Sequence, residues 1–165
     1  MSSASGTHQQ RDAVLGDALE RVVQRSLECV EDGGIPFAAI VVDAEGRILG
    51  SGVNRVIADH DALAHAEVVA MRDAARRGGR RALLDCVLVA SGEPCGLCYL
   101  AARHFGVGRI VFAADRHAAA AHGFDYRSSY RVFQTPPEGW WRPPARQVDV
   151  AGALRPFERW LEVRR

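Results

Sequence analysis

Residues 86–113, CVLVASGEPCGLCYLAARHFGVGRIVFA, contain two short apolar runs on either side of a helix-compatible segment. Cys86–Ala90 and Arg109–Ala113 have the length and the β-branched content that are typical of buried strands. The segment between them, Cys95–Phe105, is apolar over a length that favours a helix. Strands that alternate with helices indicate a sheet covered on both faces, and so an α/β fold.

The same alternation continues on both sides of this stretch. The elements predicted before it are a helix over about 13–30, strands over Phe37–Val42 and Ile48–Asn54 joined by a turn, and a helix over about 64–77. After it, Asp115 is predicted to cap a further alanine-rich helix. The pattern contains no internal repeat and no long linker, which favours a single domain over residues 11–165.

The two ends of the chain differ from this pattern. The opening residues, MSSASGTHQQ, are small and polar, and they predict a disordered segment over residues 1–10. Residues 131–165 are rich in proline and aromatics and predict an irregular segment with one short helix near its end. Aromatic side chains in such a segment usually pack onto something, so we expect Trp140, Trp141 or Trp160 to lie at a subunit interface.

The composition bounds the class of protein. With 165 residues, the chain is long enough for one compact domain with a sizeable core. Its formal net charge of +1 argues against a polynucleotide or an anionic membrane as the partner. The N-terminus has no apolar run typical of a signal peptide, so a cytoplasmic protein is expected. In that compartment the four cysteines are not expected to form disulfides.

Two short motifs supply the residue types of a metal site. His65-Ala66-Glu67 begins a predicted helix, and Pro94-Cys95-Gly96-Leu97-Cys98 lies where a buried strand meets the next helix. One imidazole and two thiolates suit zinc, and three protein ligands leave the fourth position to water. The first turn of a helix also favours thiolates over thiols. Bound zinc would lower the pKa of its water enough to give hydroxide near neutral pH.

Glu67 is predicted to lie beside this water rather than to bind the metal. A carboxylate there can take the proton of the water and pass it to a ring nitrogen and then to a leaving amine. The pattern H-x-E followed by P-C-x-x-C matches that of zinc deaminases. A structural zinc site would need a fourth ligand, and Cys29 and Cys86 are the candidates. Both are interpreted more simply as small buried hydrophobes.

The chain resembles the cytidine deaminase superfamily and, within it, the bacterial guanine deaminases. The resemblance runs from about the first helix to near the C-terminus, and it rests on five segments: Gly34–Val42, Asn54, Ala64–Val68, Glu93–Cys98 and Gly123-Phe124-Asp125. It implies a three-layer α/β/α fold with a central mixed sheet of about five strands. It also implies a zinc cofactor and a homodimer in which C-terminal segments are exchanged.

The resemblance also implies roles for residues around the metal. Phe37 would stack on a purine, and Asn54 would hydrogen-bond the ring carbonyl or a neighbouring polar atom. The backbone at Ala66 and the Glu67 carboxylate would contact the reacting edge, while Asp125 and Tyr126 would complete the substrate-binding set. The alternatives are that Phe37 is a core aromatic and that Asn54 ends its strand as a turn residue.

Three departures from the guanine deaminase branch concern the substrate. That branch usually has Gly-Phe-Asp-Asp, whereas here Tyr126 follows Asp125, and a phenol cannot replace a carboxylate as a base at neutral pH. The usual Pro-Cys-Pro-Met-Cys is Pro-Cys-Gly-Leu-Cys, which keeps the ligands and loosens the loop. The tail ends in Val163-Arg164-Arg165, without the aromatic terminus that caps the pocket in relatives.

The predicted function is hydrolytic deamination of a small purine-like heterocycle, with guanine to xanthine as the best single choice. The alternatives are a nucleoside, a pterin or a triazine as the substrate. A tRNA adenosine deaminase is a further alternative, supported by an arginine cluster at positions Arg72, Arg76, Arg77, Arg80 and Arg81. A cytosine or cytidine deaminase is disfavoured by the Gly-Phe-Asp segment. A catalytically silent zinc scaffold would have no use for Glu67.

Overall fold

The computed structural model describes residues 3–134. Its helices and strands, in chain order, are α1 (Ser3–Glu31), β1 (Ala38–Val42), β2 (Ile48–Val53), α2 (Ala66–Gly78), β3 (Val87–Gly92), α3 (Gly96–Phe105), β4 (Arg109–Ala114) and α4 (Arg116–Ala121). Two 3-10 helices cover Arg80–Leu83 and Arg127–Phe133. Every helix and strand predicted within residues 13–121 is present, and Asp115 caps α4 by accepting from two backbone amides.

The strands form one mixed sheet in the order β2-β1-β3-β4. β1 is antiparallel to both β2 and β3, whereas β3 and β4 are parallel and connected by α3. The predicted α/β class and the mixed sheet are therefore confirmed. The described part of the chain contributes four strands, and the fifth strand implied by the family resemblance stays a prediction.

β1 lies at the centre of the core and is buried on both faces. Ala38, Ile40 and Val42 pack in one cluster with residues of α1. The alternate residues, Ala39 and Val41, pack in a second cluster with residues of α2 and α3. A strand covered on both faces needs apolar residues at every position, which explains the uninterrupted run FAAIVV.

Two glycines in β2 let α2 lie directly on the sheet. A Cβ atom at Gly52 would come within 2.5 Å of the carbonyl oxygen of Ala66, and one at Gly50 would collide with the backbone of Ala70 and Ala74. Side chains at these positions would push the helix away from the sheet. The close approach fixes the N-terminal end of α2, where His65 precedes the first helical residue.

The N-terminal end of the chain differs from the sequence prediction, and the C-terminal end lies outside the described residues. α1 begins at Ser3, whereas the sequence predicts disorder over residues 1–10. Residues 3–12 contain no proline, so a helix can extend through them toward the N-terminus. Residues 135–165, with Trp140, Trp141 and Trp160, lie outside the described residues. None of the described helices combines the length and the apolar character required to cross a membrane.

Candidate active site

The two sequence motifs meet where α2 and α3 begin. His65 is the N-cap residue of α2 and has an extended backbone, with φ −64° and ψ 148°. Cys95 is the N-cap residue of α3, also extended, with φ −69° and ψ 172°. Cys98 lies in the first turn of α3, one helical turn after Cys95. The partial positive charge at the start of α3 therefore lies beside both sulfur atoms and favours thiolates.

The spacing of the three side chains fits a tetrahedral metal site. His65 Nδ1 lies 3.5 Å from the Sγ atoms of both Cys95 and Cys98, which are 3.6 Å from each other. Zinc at about 2.3 Å from sulfur and about 2.0–2.1 Å from nitrogen, in tetrahedral geometry, places its sulfur ligands roughly 3.8 Å apart and sulfur and nitrogen roughly 3.6 Å apart. The observed distances between the three ligand atoms are close to these separations.

No fourth protein ligand joins these three within residues 3–134. Cys29 and Cys86 are both buried elsewhere, and Cys86 belongs to the core cluster under α2 and α3. Their predicted interpretation as small buried hydrophobes is therefore consistent with the packing. Three ligands and one open position are the arrangement of a catalytic zinc rather than of a structural one.

The cysteine pair is electrostatically prepared for a cation. The Sγ atoms of Cys95 and Cys98 are hydrogen-bonded to each other, and this bond, together with that to His65, lowers the pKa of Cys95. The same Cys95–Cys98 bond and burial raise the pKa of Cys98. A bound divalent cation deprotonates its thiol ligands, so both sulfurs would bind zinc as thiolates.

Glu67 lies next to the metal ligands but is not one of the three. It is in the first turn of α2 and only 6% exposed. Burial raises the pKa of its carboxyl group to about 7. A carboxyl group with a pKa in this range can both accept and release a proton near neutral pH. Its position beside the ligands suits the proton-transfer role that the sequence predicts.

A cavity of about 220 Å³ opens onto the metal site. Its walls bring together most of the residues that the sequence singles out, namely Phe37, Asn54, His65, Glu67, Cys95 and Tyr126. Ile35, Val56, Ile57 and Glu93 complete the lining. A small, largely apolar cavity with a few convergent polar groups is typical of a site for a small organic molecule.

The aromatic wall of this cavity is built around Phe37. Its ring contacts Phe124 edge-on with centroids 5.3 Å apart, and Tyr126 with centroids 6.1 Å apart. The carbonyl of Phe37 accepts a hydrogen bond from the backbone amide of Asn54 at 2.9 Å. Asn54 Oδ1 in turn accepts from the backbone amide of Val56 at 3.1 Å. Asn54 is thus a turn residue and a cavity residue at once.

Tyr126, which stands where the branch usually has an acid, lies in the wall of the cavity. Its hydroxyl donates to the carbonyl oxygen of Glu93 at 2.7 Å. Burial raises the pKa of the phenol to about 12. The hydroxyl therefore keeps its proton at neutral pH and acts as a hydrogen-bond donor rather than as a base.

Two residues of the predicted substrate-binding set do not line the cavity. Ala66 is fully buried as the first residue of α2. Asp125 is exposed and accepts two hydrogen bonds from the guanidinium of Arg127, at 2.7 and 2.8 Å, and one from its backbone amide at 3.1 Å. These bonds lower the pKa of Asp125 to about 2. A substrate contact by either residue stays a prediction.

Glu93 lines the cavity, and in the sequence only the family resemblance included it. It is 5% exposed. Its carboxylate pairs with Arg116 at 2.7 Å and accepts from the Arg116 backbone amide at 2.8 Å. The signal available in the sequence was an acidic residue at the end of a buried strand, just before Pro94-Cys95, where burial requires a cationic partner.

Comparison with known proteins now adds to this geometry. The family model of the cytidine and deoxycytidylate deaminase zinc-binding region matches residues 14–114, which include His65, Glu67, Cys95 and Cys98. The chain belongs to this family. The prediction of a zinc-dependent deaminase is therefore confirmed, and zinc is the metal that the three ligands of this deaminase would hold.

Individual relatives agree with the predicted branch. The guanine deaminase of Bacillus subtilis (strain 168) is 39% identical over 144 residues, which are 86% of this deaminase and 90% of the relative. The X-ray structure of the B. subtilis guanine deaminase is similar with a TM-score of 0.79 at 36% identity, covering 89% of this chain and 93% of that one. The tRNA-specific adenosine deaminase of Haemophilus influenzae is 33% identical over 122 residues, 70% of each protein.

Proposed function

We propose that the protein deaminates guanine to xanthine by hydrolysis, with release of ammonia. The observation that carries the proposal is that two of the three zinc ligands, His65 and Cys95, share one small cavity with Glu67 and with the aromatic wall of Phe37 and Tyr126. The similarity to the B. subtilis guanine deaminase over most of both chains supports this choice of substrate.

His65, Cys95 and Cys98 would hold the zinc, and zinc would supply Lewis-acid activation of a water, which makes the water a nucleophile at neutral pH. Glu67 accepts a proton from the attacking water and donates it to the ring nitrogen next to the reacting carbon. Glu67 then carries the second proton of the same water to the amino group. The C–N bond breaks, ammonia leaves, and the reacting carbon keeps the oxygen as a carbonyl.

Phe37 and Asn54 would hold the heterocycle against Glu67. The Phe37 ring would stack on the planar base. Because Asn54 Oδ1 accepts from the Val56 amide, the side-chain nitrogen of Asn54 is the group left to face the cavity. A nitrogen donor there would bind a carbonyl oxygen of the substrate. This polarity favours an oxo-substituted ring such as guanine over adenine.

A polynucleotide substrate is less well supported by the arginine cluster than its sequence suggests. Arg72 pairs with Asp61, and Arg77 pairs with Asp73 at 2.9 Å. Arginines engaged with neighbouring carboxylates offer less charge to a phosphate backbone. The similarity to a tRNA-specific adenosine deaminase keeps that activity as the second candidate. A nucleoside, a pterin or a triazine would fit the same chemistry.

We also propose the finer architecture and assembly that the resemblance implies. Helices on both faces of the sheet support a three-layer arrangement, and a fifth strand and residues 131–165 would complete the domain. The protein would act in the cytoplasm as a homodimer in which the C-terminal segments are exchanged. Sedimentation at micromolar concentration tests this assembly, because a monomer would contradict it.

The substrate is tested by an ammonia-release screen of the zinc-loaded protein. The screen should include guanine, guanosine, adenine, cytosine, cytidine, a pterin and an aminotriazine, at equal concentrations. We expect guanine to give the highest kcat/KM. A salt-sensitive complex with tRNA, combined with no turnover of any free base, would favour the tRNA activity instead.

A further inference from the structure

The short segment Tyr126–Tyr130 contacts the metal-binding loop at Glu93, Pro94 and Gly96. Tyr126 Oη donates to the carbonyl oxygen of Glu93, and Tyr130 Oη donates to the carbonyl oxygen of Pro94, both at 2.7 Å. The backbone amide of Gly96, the first residue of α3, donates to Ser129 Oγ at 2.9 Å. We call residues 126–130 the clasp.

Gly96, which lies between the two cysteine ligands, makes this contact sterically possible. A Cβ atom at Gly96 would lie 2.9 Å from the carbonyl carbon of Ser129 and closer still to its oxygen. Any side chain at this position would therefore displace the backbone of the clasp. A proline, which the guanine deaminase branch usually has here, would also lack the amide hydrogen that Ser129 accepts.

A second set of contacts holds the other side of the loop to the clasp. The Glu93 carboxylate is bound by the backbone and the guanidinium of Arg116. The Cζ atom of Arg116 lies 4.3 Å from the centre of the Tyr130 ring. An arginine over an aromatic face is attracted to it, so Arg116 links the buried acid to the clasp.

We propose that Tyr126, Ser129 and Tyr130 are positioning residues that hold the zinc-binding loop and slow the release of zinc. Each anchors a backbone atom within three residues of a cysteine ligand, so their loss would let Cys95 and Cys98 move. Tyr126 also forms the wall of the cavity beside Phe37. The same residue thus keeps the metal loop and the substrate wall in one geometry. The proposal rests on zinc binding by His65, Cys95 and Cys98.

The test measures how fast the zinc-loaded, full-length protein transfers zinc to an excess of a chelating dye. Tyr126→Phe and Tyr130→Phe each remove a single oxygen atom, and Ser129→Ala removes the acceptor of the Gly96 amide. Partners outside the ligand set commonly change metal affinity by about 10-fold to 100-fold. We expect each variant to release zinc about tenfold faster than the wild type.

The matched control is Ser128→Ala, an exposed serine in the same 3-10 helix, and we expect it to release zinc at the wild-type rate. Thermal unfolding measured in parallel separates loop anchoring from general destabilisation. Lower melting temperatures with wild-type zinc release in both tyrosine variants would overturn the proposal. So would an equal acceleration by Ser128→Ala. A wild type that binds no zinc would instead refute the metal site itself.

The cobalt-substituted protein gives a second readout. Its visible absorption reports the ligand geometry, so Tyr130→Phe should change the spectrum while Ser128→Ala leaves it as in the wild type. Gly96→Ala tests the steric half of the proposal, and we expect it to release zinc faster than any of the three clasp variants. Since Gly96→Ala can also prevent folding, the two Tyr→Phe variants decide the result.

Discussion

The hydroxyl of Tyr126 donates to the carbonyl oxygen of Glu93 at 2.7 Å. Glu93 lies two residues before the ligand Cys95, and both Tyr126 and Glu93 line the cavity at the metal site. The position that usually carries an acid in the guanine deaminase branch therefore carries a neutral donor, engaged with the backbone of the metal-binding loop. This assignment leaves Glu67 as the proposed proton carrier, since the Glu93 carboxylate is paired with Arg116.

Glu67→Gln removes the proposed proton carrier and changes little in shape. A well-placed general acid–base typically contributes about 10²- to 10⁴-fold to the rate, so we expect kcat for ammonia release to fall by about that factor. Zinc content, measured by atomic absorption, should equal that of the wild type. Turnover within a few-fold of wild type, at equal zinc content, would show that another group moves the protons.

Cys95→Ala and Cys98→Ala each remove one of three metal ligands. We expect both variants to lose stoichiometric zinc and activity, because two ligands cannot replace the three-ligand site. Cys29→Ala is the matched control, since Cys29 is buried on α1 and is not part of the ligand cluster. Zinc content after dialysis is the measurement. Retention of one zinc by both ligand variants would show that the assigned ligand set is wrong.

Asn54→Asp tests the polarity of the substrate contact. The variant keeps an oxygen to accept from the Val56 amide but replaces the proposed donor by a second oxygen. We expect kcat/KM for guanine to fall about tenfold or more, because a substrate carbonyl would face a carboxylate. Melting temperature serves as the check on folding. An unchanged kcat/KM for guanine would exclude a donor role for Asn54.

Gly52→Ala tests the close packing that positions α2 and His65. The added methyl group would meet the backbone of Ala66 and Ala70, and overpacking of this kind costs about 1–3 kcal/mol of unfolding free energy. Gly16→Ala is the control, since a Cβ atom at this position in α1 meets nothing within 4 Å. It should stabilise the protein by about 0.5–1 kcal/mol. Urea unfolding of both variants measures the difference, and equal stabilities would contradict this account of β2 and α2.

The sequence predicted the elements of the described core because their signals are local. The apolar run Phe37–Val42 and the cap at Asp115 each depend on neighbouring residues only. The metal ligands could also be predicted, since His65, Cys95 and Cys98 occur in two compact motifs. The start of α1 could not be predicted, because polar residues without a proline allow either a helix or a disordered segment.

Contacts between distant segments could not be predicted from a single sequence. The pairing of Glu93 with Arg116 joins residues 23 apart, and that of Gly96 with Ser129 joins residues 33 apart. The resemblance implies a substrate contact for Asp125, which stays a prediction, and the pairing of its carboxylate with Arg127 was not predicted. Such pairings depend on how the whole chain packs.

The most direct test of the proposed function is the stoichiometry of guanine turnover by the zinc-loaded protein. Xanthine, followed by its absorbance, and ammonia, assayed separately, should form in equal amounts. Removal of zinc by a chelator should stop both products, and added zinc should restore both. If guanine stays unchanged under conditions in which the same preparation releases ammonia from another aminated heterocycle, guanine is not the substrate.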